Sequence, residues 1–461
     1  MKRLLLLGGG HAEIPLIQAA QALGYYVITT GNAREGLGHP YADKNVFADF
    51  SDKDAMLELA RSENVDAVCS GCNDFALLST AYVCEKLGLP GHDSFETALQ
   101  IHHKDKYRAL AEKLGIATPR AVTVKNQEEF EALLSENSAW IASPSARNDV
   151  QNNDHFSPMH GNDKEFAANV IARNVVTKQS NRLTFPIIVK PVDLTGGKGI
   201  LRANNLEEAI AAYKNACSRT REDHIVVEEF VEGSNHGFSA FLIGGKVAFW
   251  FADNEQYFLN KYMVSGANTP STTAPAGIAQ LVRDSEKLAA HLHLVDGILH
   301  IQYIERPDGT PVIIEICRRA PGDLYIKFVK YATGVDYPKM IVSAETGATV
   351  CKSEIAGSSG PEKNCSGPET NCGGPAARVK PFLRHCIMAE REGTVHDVVF
   401  TPEIQKNIVE KFLWFKAGEK TGDPLYYKAG IVFLQFDSIA EMAEKTAKMT
   451  NYIRIEMSDT N

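Results

Sequence analysis

FPIIVKPVDLTGGKGI, residues 185–200, holds one lysine at the end of an apolar run and a second lysine among glycines. The apolar run predicts a buried strand, and burying the ammonium of Lys190 without a partner is costly enough to lower its pKa or to require an anion. A phosphate would supply that anion, and so would an ordinary salt bridge at the strand end. The loop that follows favours phosphate, because its backbone N–H groups can close over phosphate oxygens. This loop contains Gly196, Gly197, Lys198 and Gly199.

Composition excludes several classes of protein. The chain has 461 residues, of which 44% are hydrophobic, and this length suits about three domains of about 150 residues each. The formal net charge of −9 favours neither a nucleic-acid partner nor an anionic membrane surface. The apolar run at residues 4–7 is too short for a signal peptide, and no apolar run reaches the roughly 18 residues of a membrane helix. We therefore expect a cytoplasmic, multidomain globular protein.

The cysteine content favours reduced thiols. Nine cysteines without a signal peptide are typical of free thiols rather than of a disulfide framework. Cys69 and Cys72 form a single C-x-x-C, without a second pair at the spacing of a zinc site. We favour burial as small side chains over a metal or redox role.

Strand and helix patterns alternate through the first 95 residues or so, which predicts an α/β chain with a parallel, doubly wound sheet at its start. Hairpin patterns later in the chain predict an α+β central part. Ser, Asn, Gly and Pro predominate in two segments, which predicts an exposed insertion at residues 143–182 and a flexible linker at residues 351–377. The predicted domains are residues 1–100, 101–232, 233–350 and 378–461.

The glycines after the first strand do not form a dinucleotide-binding fingerprint. G-x-G-x-x-G requires a third glycine where this chain has Glu13, and the second strand ends in TTGN rather than in an acidic residue for a ribose. TGGKGI also lacks the G-x-x-x-x-G-K-[ST] spacing of a Walker phosphate loop. We expect a tight strand-to-helix turn at Gly8 and Gly10, and a different architecture for binding phosphate.

Three features follow the glycine loop along the chain. VVEEFVEG, residues 226–233, ends an apolar strand with paired acids, where a strand edge can pair with adenine and a carboxylate with ribose hydroxyls. The next stretch, residues 302–319, places Gln302 and Glu315 on neighbouring strands of a predicted hairpin, as oxygen ligands suited to Mg²⁺. Two arginines, Arg318 and Arg319, end this stretch.

In this order and spacing the motifs resemble the ATP-grasp superfamily, and the resemblance covers nearly the whole chain. It implies an N-terminal parallel domain, central ATP-grasp subdomains for lid and metal, and a small C-terminal α+β module. HHKDKYRAL, residues 102–110, resembles the family's helix that opens on Asp-Lys, so Lys106 is implied as the first phosphate lysine, with Lys104 as a close competitor. Lys190 is implied at the α- and β-phosphates, and TGGKGI as the lid loop.

The resemblance implies further site residues. His236 is implied at the ribose, and Gln302 and Glu315 at the metal. Arg319 follows Glu315 in an E-x-x-x-R-x-x-G pattern and is implied, with Lys190, as a catalytic residue that stabilises the reacting groups. A hinge beside the nucleotide is also implied, and it consists of Glu228, Glu229, Phe230 and Val231. The backbone of Glu229 and Val231 is implied to read adenine.

Two positions depart from the family pattern. Gln302 replaces the first metal glutamate, and Cys317 replaces an asparagine two residues after Glu315. Because Gln302 offers a carbonyl oxygen without a negative charge, we expect weaker binding of a second Mg²⁺. Glu305 would substitute only in a different strand register. These departures keep a non-catalytic nucleotide-binding protein as an alternative.

The resemblance implies a ligase that uses ATP to convert a carboxylate to an acyl phosphate and joins it to an amine, with an amino acid as a candidate substrate. The implied cofactors are ATP and Mg²⁺, with Mn²⁺ as an alternative to Mg²⁺. The implied partners are small-molecule carboxylates and amines and a second copy of the chain in a homodimer. Residues 254–276 lie where such ligases have a substrate loop. Tyr257, Tyr262, Ser265 and Thr269 are candidates for lining this loop, and Arg318 and Arg319 are further candidate substrate contacts. Purine-biosynthesis and biotin-carboxylase types stay open as alternatives.

Overall fold

The computed structural model describes residues 1–141, 183–350 and 379–458. The chain divides into two compact units, which are described separately. Unit 1 comprises Met1–His102, Ala111–Ala117 and Glu232–Asn461, and unit 2 comprises His103–Leu110 and Thr118–Val231. The predicted insertion at residues 143–182 and the predicted linker at residues 351–377 lie outside the described residues.

The N-terminal part of unit 1 is a four-stranded parallel sheet in the order β3-β2-β1-β4. Four leucines in a row fill β1 and are fully buried, as expected for the centre of a sheet covered by helices. This sheet confirms the predicted doubly wound arrangement. The strands are β1 (Arg3–Leu7), β2 (Tyr26–Thr30), β3 (Lys44–Asn45) and β4 (Ala67–Cys69). The helices are α1 (Ile14–Ala22), α2 (Lys53–Ser62), α3 (Asp74–Leu87) and α4 (Phe95–His102). The next helix, α5 (Lys104–Leu114), belongs to unit 2 up to Leu110 and to unit 1 from Ala111.

Local signals fix the ends of these helices. The carboxylate of Asp52 accepts hydrogen bonds from the backbone N–H groups of Asp54 and Ala55 at the start of α2. Asn73 caps α3 in the same way, and α3 ends at Gly88, whose φ of 65° is left-handed. Residues close together in the chain therefore fix where α2 and α3 begin and where α3 ends.

Unit 2 contains an antiparallel sheet in the order β5-β8-β6-β7. Val189 and Val227, on neighbouring strands, belong to its buried core together with alanines of the helix that packs on them. FPIIVKP forms a strand as predicted, and Lys190 lies near its end. The strands are β5 (Ala121–Val124), β6 (Ile187–Pro191), β7 (Leu201–Ala203) and β8 (Ile225–Glu229), and the helices are α6 (Gln127–Ile141) and α7 (Leu206–Cys217).

The rest of unit 1 is built on an eight-stranded antiparallel sheet in the order β13-β12-β9-β10-β11-β14-β17-β16. Three strands of the predicted C-terminal module extend this sheet, so the module shares its main sheet with the preceding segment. The strands are β9 (Ser234–Ile243), β10 (Lys246–Tyr257), β11 (Val264–Thr269), β12 (Gly297–Glu305), β13 (Pro311–Cys317), β14 (Phe382–Met388), β16 (Ile408–Leu413) and β17 (Lys428–Gln435). A separate two-stranded sheet consists of β15 (Thr394–Phe400) and β18 (Ile453–Ser458).

Helices complete this part of unit 1. Tyr325 and Phe328, on the first helix after β13, pack on Phe251 of β10 and join the main hydrophobic core. The helices are α8 (Pro275–Leu292), α9 (Tyr325–Thr333), α10 (Tyr337–Glu345), α11 (Pro402–Gln405), α12 (Ile439–Ala447) and α13 (Met449–Tyr452). In the part of the chain that the structure describes, no helix has both the length and the apolar character needed to cross a membrane.

The predicted substrate loop at residues 254–276 is partly strand. Its first four residues belong to β10, and residues 264–269 form β11, which is paired on one side with β10 and on the other with β14. The Ser, Asn and Gly content of β11 is typical of a loop, but two neighbouring strands supply the hydrogen bonds that hold it extended. The connection at residues 258–263 remains as a loop, and it contains Tyr262.

Candidate functional site

A buried ionic cluster lies at the end of β6 in unit 2. The Nζ atom of Lys190, a residue 2% exposed, lies 2.7 Å from Oε2 of Glu228 on β8. The Nε atom of Arg108, on α5, donates to the other oxygen of the same carboxylate at 3.0 Å. Ile188 pairs with Glu228 in the sheet, so Lys190 and Glu228 project on the same face. One carboxylate therefore faces two cations.

The pKa values in this cluster reflect an excess of positive charge. The pKa of Lys190 is lowered to about 8, mainly by burial and also by the charges of Arg108 and Lys104, against the opposing effect of Glu228. Burial alone would raise the pKa of Glu228, but the charges of Arg108 and Lys190 outweigh burial and hold it below its ordinary value. An anion bound beside the cluster would relieve the excess positive charge.

Helix α5 carries the two candidate phosphate lysines. Lys104 is buried, its ammonium donates to the carbonyl oxygen of Leu194, and its backbone N–H donates to the carbonyl oxygen of Val192 at 3.3 Å. Lys106 is exposed, so a ligand can reach it. Lys104 therefore holds residues 192–194, which lead into the glycine loop, against α5. Lys106 presents its charge to solvent.

The glycine loop has the backbone geometry that only glycine adopts readily. Gly196, Gly197 and Gly199 have φ values of 66°, 73° and 74°. A Cβ atom on Gly199 would lie 2.8 Å from Cγ of Pro191, so this position lacks space as well. Lys198, between them, is exposed. Gly196 and Lys198 are therefore at the surface of unit 2, whereas Gly197 and Gly199 are buried.

The predicted hinge begins where β8 ends. The backbone N–H of Glu229 donates to the carbonyl oxygen of Arg120 at 2.9 Å, and its carboxylate accepts from Nε of Arg120 at 2.8 Å. The next two residues lie beyond the strand: the guanidinium of Arg202 stacks 4.2 Å from the ring centre of Phe230, and Val231 is buried. The chain leaves the sheet here, which makes the backbone of residues 230–231 a candidate for pairing with a base.

The glycine turn after β1, in unit 1, is closed by Glu13. Its Oε2 accepts from the backbone N–H of Gly10 at 2.8 Å, and its Oε1 accepts from that of Cys72 at 3.0 Å. A Cβ atom on Gly8 would lie 2.9 Å from Cδ of Glu13. A carboxylate thus occupies the turn that a dinucleotide pyrophosphate would need, in agreement with the missing fingerprint. Burial raises the pKa of Cys69 and of Cys72, so neither thiol is poised to react.

The candidate metal ligands lie on one face of the large sheet of unit 1. Glu315 of β13 pairs directly with Gln302 of β12, Gln302 pairs with Gly237 of β9, and Gly237 pairs with Asp253 of β10. Directly opposed residues in antiparallel strands project on the same face. This row, with Glu255 two residues along β10, is called the acidic face below.

Glu255 is a site residue that the sequence analysis missed. Nε2 of Gln302 donates to Oε1 of Glu255 at 2.8 Å, and the hydroxyl of Tyr257 donates to Oε2 at 2.6 Å. Burial raises the pKa of Glu255, and the charge of Glu315 adds to the increase. The spacing of Asp253 and Glu255, two residues apart at the end of a predicted strand, was the available signal, because it places both carboxylates on one face.

Asp253 is the most buried acid of this face. It is 0% exposed, and it accepts a hydrogen bond from the hydroxyl of Tyr325 at 2.5 Å. Burial raises its pKa to about 7, with a further contribution from Glu255. Arg384, a buried residue of β14, acts in the opposite direction on both carboxyl groups. Oxygen ligands of this kind suit Mg²⁺, and Glu315 and Gln302 fit such an ion.

Two neighbouring residues, Glu305 and His236, lie on the face of the sheet opposite Gln302. Glu305 pairs with Ser234, on the face opposite Gln302, and its Oε2 lies 3.7 Å from Nε2 of His236, so it does not replace the missing metal glutamate. His236 is 1% exposed, stacks on Tyr303 and hydrogen-bonds Ser234 at 2.7 Å. A buried ring of this kind does not fit the expected contact with a ribose.

The two arginines after β13 have different surroundings. Arg318 is buried, and its guanidinium donates to Asp93 at 2.7 Å and to the carbonyl oxygens of Val295 and Ile298, which fits a structural role better than the expected contact with substrate. Nη2 of Arg319 donates to Oδ2 of Asp74 at 2.6 Å. Burial alone would lower the pKa of Arg319, but the charge of Asp74 outweighs burial and raises it, so the guanidinium stays charged.

Comparison with known proteins identifies one domain. Residues 162–322 match the family model of the ATP-grasp domain. This part of the chain carries an ATP-grasp domain. The L-amino acid ligase of Bacillus licheniformis superimposes with a TM-score of 0.72 at 18% identity over 100% of this chain and 99% of that one. The phosphoribosylglycinamide synthetase of Anaerococcus prevotii superimposes with a TM-score of 0.67 at 22% identity over 99% and 100%. The ATP-grasp fold thus extends over the whole chain.

Curated relatives of this chain match over shorter stretches. The carbamoyl phosphate synthase large chain of Methanobrevibacter smithii is 30% identical over 174 residues, which are 37% of this chain and 16% of the relative. The formate-dependent phosphoribosylglycinamide formyltransferase of Burkholderia mallei is 24% identical over 238 residues, which are 50% of this chain and 46% of the relative. The matched segments span less than half the length of either relative.

Proposed function

We propose that this ATP-grasp protein is an ATP-dependent ligase, which phosphorylates a carboxylate with ATP and joins the resulting acyl phosphate to an amine. An amino acid is the carboxylate that we favour. The observation that carries the proposal is the buried cluster of Lys190, Arg108 and Glu228, in which two cations share one carboxylate. Its positive excess, together with the adjoining glycine loop, suits the phosphates of a nucleotide.

In the proposed reaction, unit 2 binds the nucleotide. Lys190 contacts the α- and β-phosphates, and the exposed Lys106 adds a second positive charge from α5. The glycine loop closes over the phosphates through its backbone N–H groups and keeps water from the acyl phosphate. Glu228 keeps Lys190 in place, because its carboxylate holds the ammonium at 2.7 Å. Residues 229–231 read the adenine.

Unit 1 contributes the oxygen ligands and an arginine. Glu315 and Gln302 would hold Mg²⁺, or Mn²⁺ in its place, and the ion would neutralise charge on the transferring phosphoryl group. Arg319 stabilises the oxyanion that forms when the amine attacks the acyl phosphate, and its bond to Asp74 orients the guanidinium beforehand. Tyr257 supports Glu255 rather than substrate, whereas Tyr262 stays a candidate substrate contact.

The proposal is tested by release of ADP and phosphate over a matrix of carboxylates and amines with Mg²⁺. Bicarbonate belongs in the carboxylate set, because the biotin-carboxylase and purine-biosynthesis alternatives use small acids of this kind. We expect release that depends on both substrates, and its loss in Lys190→Met and Glu315→Gln. Lys246→Met is the matched control, because this lysine is exposed and pairs with Glu286 on the surface.

Gln302 supports one second candidate, a protein that binds nucleotide without turnover. The loss of one negative charge at the position of the first metal glutamate would favour binding without catalysis. Stabilisation by ATP with no ADP release anywhere in the matrix would establish this second function and contradict the ligase. A homodimer and a cytoplasmic location stay predictions from the sequence.

A further inference from the structure

We propose that Glu255 supplies the second carboxylate of the metal site, in place of the glutamate that Gln302 replaces on β12. The inference rests on the proposed function, because the metal in question accompanies ATP. It assigns to this site a ligand from a different strand, two strands away from Gln302. The site then consists of Glu255, Gln302 and Glu315.

The first step of the argument is the path between the two strands. Strand β9 separates β10 from β12, and its residue in the row is Gly237. A Cβ atom at this position would lie 2.7 Å from Oδ2 of Asp253. Because Gly237 has no side chain, the amide of Gln302 passes over β9 and reaches Glu255 at 2.8 Å. A larger residue at 237 would close this path.

The second step concerns the orientation of the donors. The amide nitrogen of Gln302 donates to Oε1 of Glu255, so its amide oxygen points to the other side and is available as a metal ligand. Tyr257 donates to Oε2 of Glu255 at 2.6 Å and fixes the carboxylate from the other end. Each carboxylate oxygen has two lone pairs, so each keeps the capacity to bind a metal while accepting one hydrogen bond.

The third step concerns charge. The acidic face carries the carboxyl groups of Glu315, Glu255 and Asp253, and Arg384 is the cation that acts on the latter two. Among the described residues, Oδ1 of the fully buried Asp253 is one of the polar side-chain atoms without a hydrogen-bond partner. An unpartnered buried carboxylate oxygen, two residues along β10 from Glu255 and on the same face, is a position that a divalent cation would stabilise.

The alternative donor is excluded by the strand register. Glu305 lies on the opposite face and interacts with His236 and with the backbone N–H of Ala274. Glu255 is therefore the acid that restores the lost charge. Two carboxylates and one amide oxygen give the same charge as a pair of glutamates, so we expect metal affinity close to that of a two-glutamate site.

The test measures binding of Mn²⁺ in the presence of saturating ADP, by titration calorimetry and by the paramagnetic resonance signal of free Mn²⁺. We expect Glu255→Gln to weaken Mn²⁺ binding by at least about tenfold. Adding Gln302→Glu to this variant returns the carboxylate to β12, and we expect recovery to within about threefold of the wild type. Glu305→Gln is the matched control, with unchanged affinity. Thermal unfolding without Mn²⁺ shows whether each variant folds.

Each outcome decides the proposal. Wild-type Mn²⁺ affinity in Glu255→Gln overturns it, as does a double variant that stays as weak as the single one. If Glu255→Gln does not fold, Gln302→Glu alone decides. Affinity for Mn²⁺ within about threefold of the wild type supports the proposal, because Glu255 already supplies the second carboxylate, whereas a gain of about tenfold or more overturns it. Glu255-dependent Mn²⁺ binding without any turnover supports this inference while contradicting the ligase. A wild type that binds no ADP overturns both.

Discussion

Replacing Lys190 by methionine distinguishes two roles for this lysine, a phosphate ligand and a partner in an ordinary buried salt bridge. Burial lowers the pKa of Lys190 from its ordinary value of 10.5 to about 8. At about 1.4 kcal/mol for each tenfold change in proton affinity, keeping this lysine charged in the folded protein costs about 3 kcal/mol. Methionine has a similar length without the charge, and Arg108 still neutralises Glu228 at 3.0 Å. We therefore expect Lys190→Met to be as stable as the wild type or up to about 3 kcal/mol more stable near pH 7.

The pH dependence follows from the same values. The folded-state pKa lies below the unfolded one, so the cost is fully present below about pH 8 and disappears as the pH rises towards 10.5. The wild type should therefore gain stability over this interval relative to Lys190→Met. Urea denaturation near pH 7 and near pH 10 measures both free energies of unfolding.

Nucleotide provides the second readout. ATP at about 100 times its Kd should add about 2.7 kcal/mol to the wild type and nothing to Lys190→Met. Lys246→Met, on the surface, controls for the loss of a lysine. A salt bridge kept for stability gives the opposite pattern, since removing one partner of a buried pair costs about 3–5 kcal/mol. A loss of that size in Lys190→Met, with stabilisation by ATP intact, would refute the reasoning.

Three further predictions concern unit 2. Glu228→Gln leaves Arg108 and Lys190 without their shared carboxylate, so we expect a loss of about 3–5 kcal/mol in urea denaturation, and unchanged stability would contradict the cluster. ATP binding at about pH 8.5 should take up about 0.7 proton, because phosphate raises the pKa of Lys190 from about 8. Calorimetry in buffers of different ionisation enthalpy measures this proton uptake. Release of protons on ATP binding would argue against a contact between Lys190 and phosphate. Gly199→Ala should lower the free energy of unfolding by more than Gly196→Ala. Both glycines have left-handed φ values, but only Gly199 lacks space for a Cβ atom. Equal losses of about 1–2 kcal/mol would show that backbone strain alone, without a steric clash, sets the cost.

The features that the sequence predicted well are local. The strand that ends at Lys190, the left-handed glycines after it and the capped helices of the N-terminal sheet depend on residues close together in the chain. The pairing of Gln302 with Glu315 was also accessible, because a short hairpin fixes its own register. These parts needed no knowledge of distant contacts.

The features that the sequence missed depend on distant strands. Glu255 lies beside Gln302 only because β9 separates their strands and has a glycine in the row. The polar β11 is a strand because β10 and β14 pair with it on both sides. His236 has the polarity of a ribose ligand, and only the packing on Tyr303 shows that it is buried. Composition carries no information about such neighbours.

The central claim, that this protein activates a carboxylate as an acyl phosphate, is tested most directly by following oxygen. A carboxylate that supports ADP release is supplied with its oxygens labelled as ¹⁸O, and the released phosphate is analysed by mass spectrometry. The ligase account predicts one labelled oxygen in each phosphate, because the carboxylate oxygen that attacks the γ-phosphorus leaves with the phosphoryl group when the amine attacks. Phosphate that carries no label from the carboxylate, and instead takes its oxygen from water, would contradict it.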